Sequence, residues 1–328
     1  MLNFMKQNTK LISKKDTTKT LGNFLLLMTL LVSLNVSAQN DDFELELLHV
    51  QGNVYLVAGG GGNTALLVGE QGVLVVDTKL KAASDELIAL IEENFDVPIH
   101  WIVNTHGHLD HIGGNAEVAA AGNILGSSNS GGRAVTDPAE IYAHIEVMIP
   151  LVTADEVDLD AVPGNTYTAG SMEFYANGES VQLIHQPAAH TRGDSLVFFR
   201  QSNVLVAGDI FTIQRYPFID VANGGSVRGL IDALNNMLTI IIPNTNQQGG
   251  TYVIPGHGRI TDEYEVVNYR DMLTIIYERI EDAIARGLSL EEVKTARLSR
   301  EYDPLYGSDT GFWTSEQFIE TIYAELSQ

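Results

Sequence analysis

The sequence predicts an α/β fold of two sheets packed face to face, with helices on their outer surfaces. Short apolar runs are separated by glycine-rich turns, and each half of the chain repeats the order of strands followed by a helix. No Pro/Ser-rich linker or charge block divides residues 39–328, so they read as a single domain. With 328 residues, 45% of them hydrophobic and only 19% charged, the chain has the apolar content for a substantial core.

Residues 44–50, 54–58, 65–68 and 72–77 are short, adjacent strand-like runs, which predicts an antiparallel meander. Residues 84–94 carry helical amphipathic spacing with Ser84 as N-cap, and they feed a strand at 99–103. The stretch 139–148 reads as a helix stopped by Pro150, a connecting excursion rather than a second domain. Strands are expected near 172–176, 180–185, 195–200 and 203–207, then a helix over 227–238 and a strand at 252–255. Long amphipathic helices over 262–286 and 314–326 close the domain.

Nineteen Lys+Arg against 42 Asp+Glu give a net charge of -23, which repels phosphate backbones and argues against nucleic-acid partners. The absence of cysteine excludes disulfides, thiolate nucleophiles and thiolate ligands, so any metal must be held by His and carboxylate. Residues 1–38 place five lysines ahead of an apolar run from Phe24 to Val32, with small residues at Ser37 and Ala38, the pattern of a secretory signal. Asn23, Thr29, Ser33 and Asn35 interrupt the run, whereas a spanning helix wants about 20 largely apolar residues. The expectation is an exported protein, periplasmic or secreted, with no stable membrane span after cleavage; an uncleaved anchor is the alternative. Loss of five Lys and one Asp would take the net charge from -23 to -27.

The chemistry concentrates in Asn104-Thr-His-Gly-His-Leu-Asp-His-Ile-Gly-Gly-Asn115, directly after a hydrophobic strand. In an extended segment side chains alternate, so His106 and His108 point the same way and can reach one ion. Asp110 and His111 lie past the turn, at the start of a helix, and can serve a neighbouring ion. His190, Asp209 and His257 each come where a strand hands over to a loop. Asn104 and Thr105 fit either support of these ligands or a plain strand-end turn.

This set resembles the metallo-β-lactamase superfamily of zinc hydrolases, whose signature is His-x-His-x-Asp-His followed by a His, a bridging Asp and a final His. The resemblance covers roughly residues 54–259. It implies a four-layered αβ/βα sandwich and two Zn2+ ions, with iron or manganese in some branches. It also implies one site from His106, His108 and His190, a second from Asp110, His111 and His257, and Asp209 bridging both. Two such dications about 3.5 to 4 Å apart would lower the pKa of a shared water towards about 7, with Asp110 as the catalytic residue that aims the resulting nucleophile.

The chain departs from the largest group of zinc β-lactamases, which carry Cys at the position of Asp209 and Lys where Thr212 stands. That moves it towards the Asp-bridged branches, which include glyoxalase II, lactonases, phosphodiesterases and tRNA-processing nucleases. Arg192 and Arg215 lie close in sequence to ligands and are candidate binders of a substrate carboxylate, with an ordinary ion pair as the alternative for each. Gly59-Gly-Gly-Gly-Asn-Thr64 reads as a tight hairpin that overhangs the site in the family, here a mobile lid without an aromatic. Apolar contacts must then come from elsewhere, and Tyr216 and Phe218 fit that role or the core equally. His49, His100, His144 and His185 have no partners at ligand spacing and are expected in satisfied structural roles.

The resulting expectation is an exported dinuclear zinc hydrolase that opens a small-molecule amide, lactone or ester, β-lactam rings included. A glyoxalase-II-like thioesterase, a single-iron sulfur dioxygenase and a non-catalytic metal-binding surface module are the alternatives. The motif sets the reaction rather than the substrate or the oligomeric state.

Overall fold

A computed structural model describes residues 43–125, 137–246 and 249–328, so the expected leader at 1–38 lies outside the described residues. Four strands, β1 (Glu46–Gln51), β2 (Val54–Ala58), β3 (Thr64–Gly69) and β4 (Gly72–Val76), form the antiparallel meander. The sheet continues in parallel through β5 (Ile99–Val103), β6 (Glu140–His144) and β7 (Asn165–Tyr167), in the order β1 to β7. The second sheet contains β8 (Ser171–Ala176), β9 (Glu179–His185), β10 (Ser195–Phe199), β11 (Val204–Thr212) and β12 (Tyr252–His257), ordered β12-β11-β10-β9-β8. Only β11 and β12 are parallel in it.

Nine helices connect or flank the sheets among the described residues: α1 (Ser84–Asn94), α2 (Leu109–Ile112), α3 (Asn115–Ala121), α4 (Ile145–Val152), α5 (Val227–Ile240), α6 (Glu263–Ala285), α7 (Leu290–Ala296), α8 (Asp303–Tyr306) and α9 (Ser315–Leu326). Three long helices start on side-chain caps: Ser226 accepts from Gly229 N, Asp262 from Tyr264 N, and Thr314 from Gln317 N. Each cap satisfies an amide left open at the helix start, worth about 1 kcal/mol.

Strand alternation sorts side chains into layers. Leu74, Val76 and Trp101 of the first sheet meet Val181, Leu183, Val197 and Val206 of the second. Their neighbours Val73 and Val75 point the other way, onto Leu87 and Ile91 of α1 and Val118 of α3. Behind the second sheet, Leu196, Leu205 and Ala207 pack on residues of α5, α6 and α9. The result is a four-layered αβ/βα sandwich, held by buried aliphatic side chains worth roughly 1.5 to 3 kcal/mol each.

Several boundaries differ from the sequence reading. The stretch expected as a helix over 139–148 is strand β6, followed by α4, and Pro150 lies inside that helix rather than after it. Its Ala, Ile and Tyr side chains tolerate either state, and parallel pairing to both β5 and β7 overrides the local preference. Ser84 is the first residue of α1 rather than its cap, because a 3-10 turn at Lys81–Ala83 precedes it. β11 runs past residue 207 to Thr212, which puts Asp209 inside a strand whose pairing shifts register at Gly208.

His144 also departs from expectation. Its ring stacks on His185 at a centroid distance of 3.5 Å and an interplanar angle of 12°. His185 donates from Nε2 to Arg192 O (2.8 Å), but Nε2 of His144 is buried with no partner. Burial, reinforced by the neighbouring His185, pushes the His144 pKa down to about 4 from 6.5. The unfolded chain therefore binds this proton more readily between those values. The associated stability is complete above pH 6.5 and is lost as pH falls towards about 4. In thermal denaturation followed by circular dichroism, His144→Phe, which keeps a ring but cannot titrate, is expected to lose less Tm than the wild type between pH 7 and pH 5. Equal losses would contradict this coupling.

Candidate metal centre

β5 ends at Val103 and the chain enters the loop 104–108, which is anchored to the start of α3. Asn104 and Asn115 exchange amide hydrogen bonds of 3.0 and 2.9 Å, so Asn104 supports the loop rather than a ligand. His190 sits in the loop between β9 and β10, where Asp194 accepts from Thr191 N (2.7 Å) and Thr191 Oγ1 (2.8 Å). Asp209 projects from β11, and His257 is the last residue of β12. These segments meet at one edge of the sandwich.

All seven predicted residues converge there. His106, His108, His190 and Asp209 present ligand atoms within 4.8 Å of one another, and Asp110, His111 and His257 form a second such group. Asp209 faces both: Oδ2 lies 3.8 Å from His190 Nε2, and Oδ1 lies 3.3 Å from His111 Nε2 and 3.5 Å from His257 Nε2. Asp110 Oδ2 lies 3.2 Å from His257 Nε2.

The outer hydrogen bonds fix which nitrogen of each ring is left for an ion. His190 donates from Nδ1 to Phe218 O (2.7 Å), and His108 donates from Nε2 to Asp220 Oδ2 (2.8 Å). His111 donates from Nδ1 to Asp77 Oδ2 (2.7 Å). Thr105 Oγ1 gives its proton to the same Asp77 oxygen (2.7 Å) and so accepts from His106 Nδ1 (3.1 Å). Each ring thus turns a lone pair inward, the arrangement in which outer partners orient metal-binding imidazoles.

The inward atoms fit a pair of cations. His106 Nε2, His111 Nε2 and Asp209 Oδ1 are buried with no hydrogen-bond partner, a costly state for polar atoms. His108 Nδ1 and His190 Nε2 face each other at 2.9 Å, although their outer bonds make both of them acceptors. Positive charge between such atoms relieves the conflict. Nitrogen and oxygen donors of this kind suit zinc, iron or manganese.

The acid-base balance of these side chains agrees. Burial lowers the His106 pKa well below 6.5, helped by the neighbouring imidazoles of His111 and His190. Burial alone would also lower that of His111, but the Asp209 and Asp77 carboxylates raise it well above 6.5. The His257 pKa is pushed up to about 9, with the neighbouring Asp110 and Asp209 carboxylates overcoming its burial. Asp209 is held well below the usual carboxylate range because His111 outweighs its burial. Protons on His111 and His257 thus balance the carboxylates, and a divalent cation would displace them.

Two glycines keep the centre open. A Cβ at Gly62 would overlap the His111 ring, and one at Gly256 would overlap Asp209 Oδ1. The glycine hairpin joins β2 to β3, but it is not a loose lid. Gly62 N donates to Asp110 O (3.0 Å), and the Asn63 side chain donates to Pro255 O (2.9 Å) and Gly258 O (2.8 Å). Lys79, fully buried beneath the hairpin, adds bonds to Val57 O (2.9 Å) and Gly62 O (3.0 Å).

A cavity of about 660 Å³ opens over Asp110, Asp209 and His257, and Thr212 and Arg215 line its wall. Arg192 lines a neighbouring cavity of about 280 Å³ that shares His108, and its Nε donates to Asn223 O (3.0 Å). Neither arginine forms an ion pair among the described residues. Tyr216 is 2% exposed, stacks on Phe318 and donates to Asp303 Oδ1 (2.9 Å), which makes it a core residue with an edge on the cavity. Phe218 is half-buried against His108 and His190.

Sequence reasoning missed Asp77 and Asp220, the carboxylates behind His111 and His108. Asp77 left a signal: an acid directly after the five fully buried residues of β4 calls for a partner.

The chain is thus a four-layered sandwich with His and Asp groups at one edge that could hold metal. Residues 50–243 match the profile of the metallo-beta-lactamase superfamily, and the chain belongs to that superfamily. It is 25% identical over 214 residues to the 2,4-dinitroanisole O-demethylase subunit alpha of Nocardioides sp. (strain JS1661), covering 63% of this chain and 56% of that one. It is 22% identical over 214 residues to a metallo-beta-lactamase type 2 of Bacillus sp. (strain 170), covering 64% and 72%. Among solved structures, a metallo-beta-lactamase from Pontibacter korlensis superposes with a TM-score of 0.55 at 16% identity, over 70% of this chain and 99% of that one. The stereoselective inverting sec-alkylsulfatase of Pseudomonas sp. superposes with a TM-score of 0.63 at 15% identity, over 86% and 50%. At these identities the structural likeness is one of fold.

Proposed function

We propose that this protein is a dinuclear zinc hydrolase of small molecules that opens an amide, lactone or ester. The observation that carries the reading is the pair of ligand groups that meet at Asp209, with His106 Nε2, His111 Nε2 and Asp209 Oδ1 lacking a hydrogen-bond partner within the protein. His106, His108 and His190 would hold one ion, Asp110, His111 and His257 the other, with Asp209 between them. When bound, the ions supply Lewis acidity and bring the pKa of water from about 15.7 towards about 7. Asp110, one-third exposed on the cavity side, turns Oδ2 to the His111 and His257 rings, which leaves its other carboxylate oxygen to accept a proton from the attacking water and to pass it to the departing atom. Asp77 and Asp220 keep His111 and His108 in the tautomers the centre needs.

The leader-like residues 1–38 support action outside the cytoplasm, and the net charge of -23 supports a small substrate rather than a nucleic acid. A panel of a chromogenic β-lactam, an acyl-lactone and aryl and alkyl esters and amides, assayed with and without chelator, tests the reading. Chelator-sensitive turnover of at least one class, restored by zinc, is expected. Inertness of the fully metallated protein on the whole panel would contradict it.

A further inference from the structure

The turn between α8 and α9 reaches the mouth of the metal cavity, far beyond residue 243 where the family match ends. It delivers Phe312, which is 77% exposed, and the part-buried Trp313. Both rings meet Phe218 edge to face, Phe312 at 4.9 Å and 66° and Trp313 at 5.0 Å and 77°. Phe218 in turn leans on His108 and His190, so the three rings run from the ligands to the rim. Contiguous apolar surface beside a cavity marks a place for an apolar ligand group, and Phe218 touches both of the other rings.

The charges of the cavity divide by side. Asp110 and Asp209 face the metal-binding histidines, and Asp220 is bonded to His108. Among the described residues Arg215 stands on the wall with no ion pair and is the one Lys or Arg that lines this cavity. A guanidinium at the mouth of a cavity in a chain of net charge -23 is set to receive an anion.

We propose that the substrate is an anionic aryl compound, with its ring among Phe218, Phe312 and Trp313, its negative group on Arg215 and its scissile bond over Asp110 and His257. The inference rests on the metal-hydrolase reading for the bond but not for the binding of ring and charge. Phe312 and Trp313 are specificity-determining residues contributed by the C-terminal segment.

The test uses the zinc-loaded full chain and probes that do not turn over. Benzenesulfonate carries a ring and a weakly metal-binding anion, cyclohexanesulfonate lacks the aromatic ring, and methyl phenyl sulfone lacks the charge. The chain has two tryptophans, and Trp101 is 4% exposed in the core, so Trp313 is the reporter of ligand at the mouth. Benzenesulfonate should change the fluorescence, and Trp313→Phe should remove the change. By calorimetry it should bind about three- to tenfold more tightly than cyclohexanesulfonate. Against methyl phenyl sulfone the advantage should be about tenfold. Phe312→Leu should shrink the first difference and Arg215→Gln should erase the second, and both positions are exposed enough for the variants to fold. Equal affinity for all three probes, or preferences unchanged in the variants, would overturn the proposal. If the hydrolysis panel fails while these preferences hold, the catalytic reading falls and the aryl-anion site stands.

Discussion

Asp209→Ala is expected to remove hydrolysis almost completely and to release metal. Asp209 is the one carboxylate whose two oxygens face different ligand groups, Oδ2 towards His190 and Oδ1 towards His111 and His257. Its loss leaves each group with fewer donors and with no anion to offset the charge between them. Loss of an outer partner costs about 10- to 100-fold in metal affinity or activity, and loss of a shared ligand should exceed that range. The check is kcat/KM on whichever class the panel identifies, together with bound zinc after dialysis. Activity within a few fold of wild type, with zinc content unchanged, would mean that Asp209 joins nothing.

Asp77→Ala should damage both stability and activity, although its side chain is not assigned to either ion. The carboxylate is 1% exposed and accepts from Thr105 N (2.8 Å), Thr105 Oγ1 (2.7 Å) and His111 Nδ1 (2.7 Å). Alanine leaves three buried donors unmatched, at about 1 to 3 kcal/mol for each one that finds no substitute. Asp77 also has φ of 63°, a left-handed backbone that Asp and Asn tolerate better than Ala. A loss of about 3 kcal/mol would lower Tm by roughly 5 °C in a domain of this size. Activity at saturating zinc should fall about 10- to 100-fold, as His111 loses its orientation. Asp77→Asn, which keeps one acceptor oxygen and suits the backbone, should fall between the two. A Tm for Asp77→Ala equal to wild type would contradict this account of the loop.

Much of this was legible in the chain. The strands β1 to β5 announce themselves because their apolar side chains alternate or cluster between glycine turns, and α5, α6 and α9 because helical spacing persists over at least three turns. β6 was hidden because Glu140–His144 mixes strand formers, Ile141 and Tyr142, with residues that favour helix, and pairing to β5 and β7 on both edges decides for the strand. β7, with three residues, is too short for any periodicity to show.

The candidate site divides in the same way. His106, His108, Asp110 and His111 are bound together by local spacing, and His190, Asp209 and His257 by their place after apolar runs. Asp220 and Phe312 have no such local mark. Asp220 meets His108 across 112 positions in the chain, and Phe312 reaches Phe218 only because α8 and α9 fold back over the second sheet. The same limit applies to the His144–His185 pair, which ends two strands of different sheets. Contacts made only by tertiary packing leave no period to read.

The most direct measurement is anomalous scattering at the zinc edge from crystals grown with zinc. Two peaks about 3.5 to 4 Å apart are predicted, one among His106, His108 and His190, the other among Asp110, His111 and His257, with Asp209 between them. A single peak outside these groups, or none at full zinc saturation, would contradict the account.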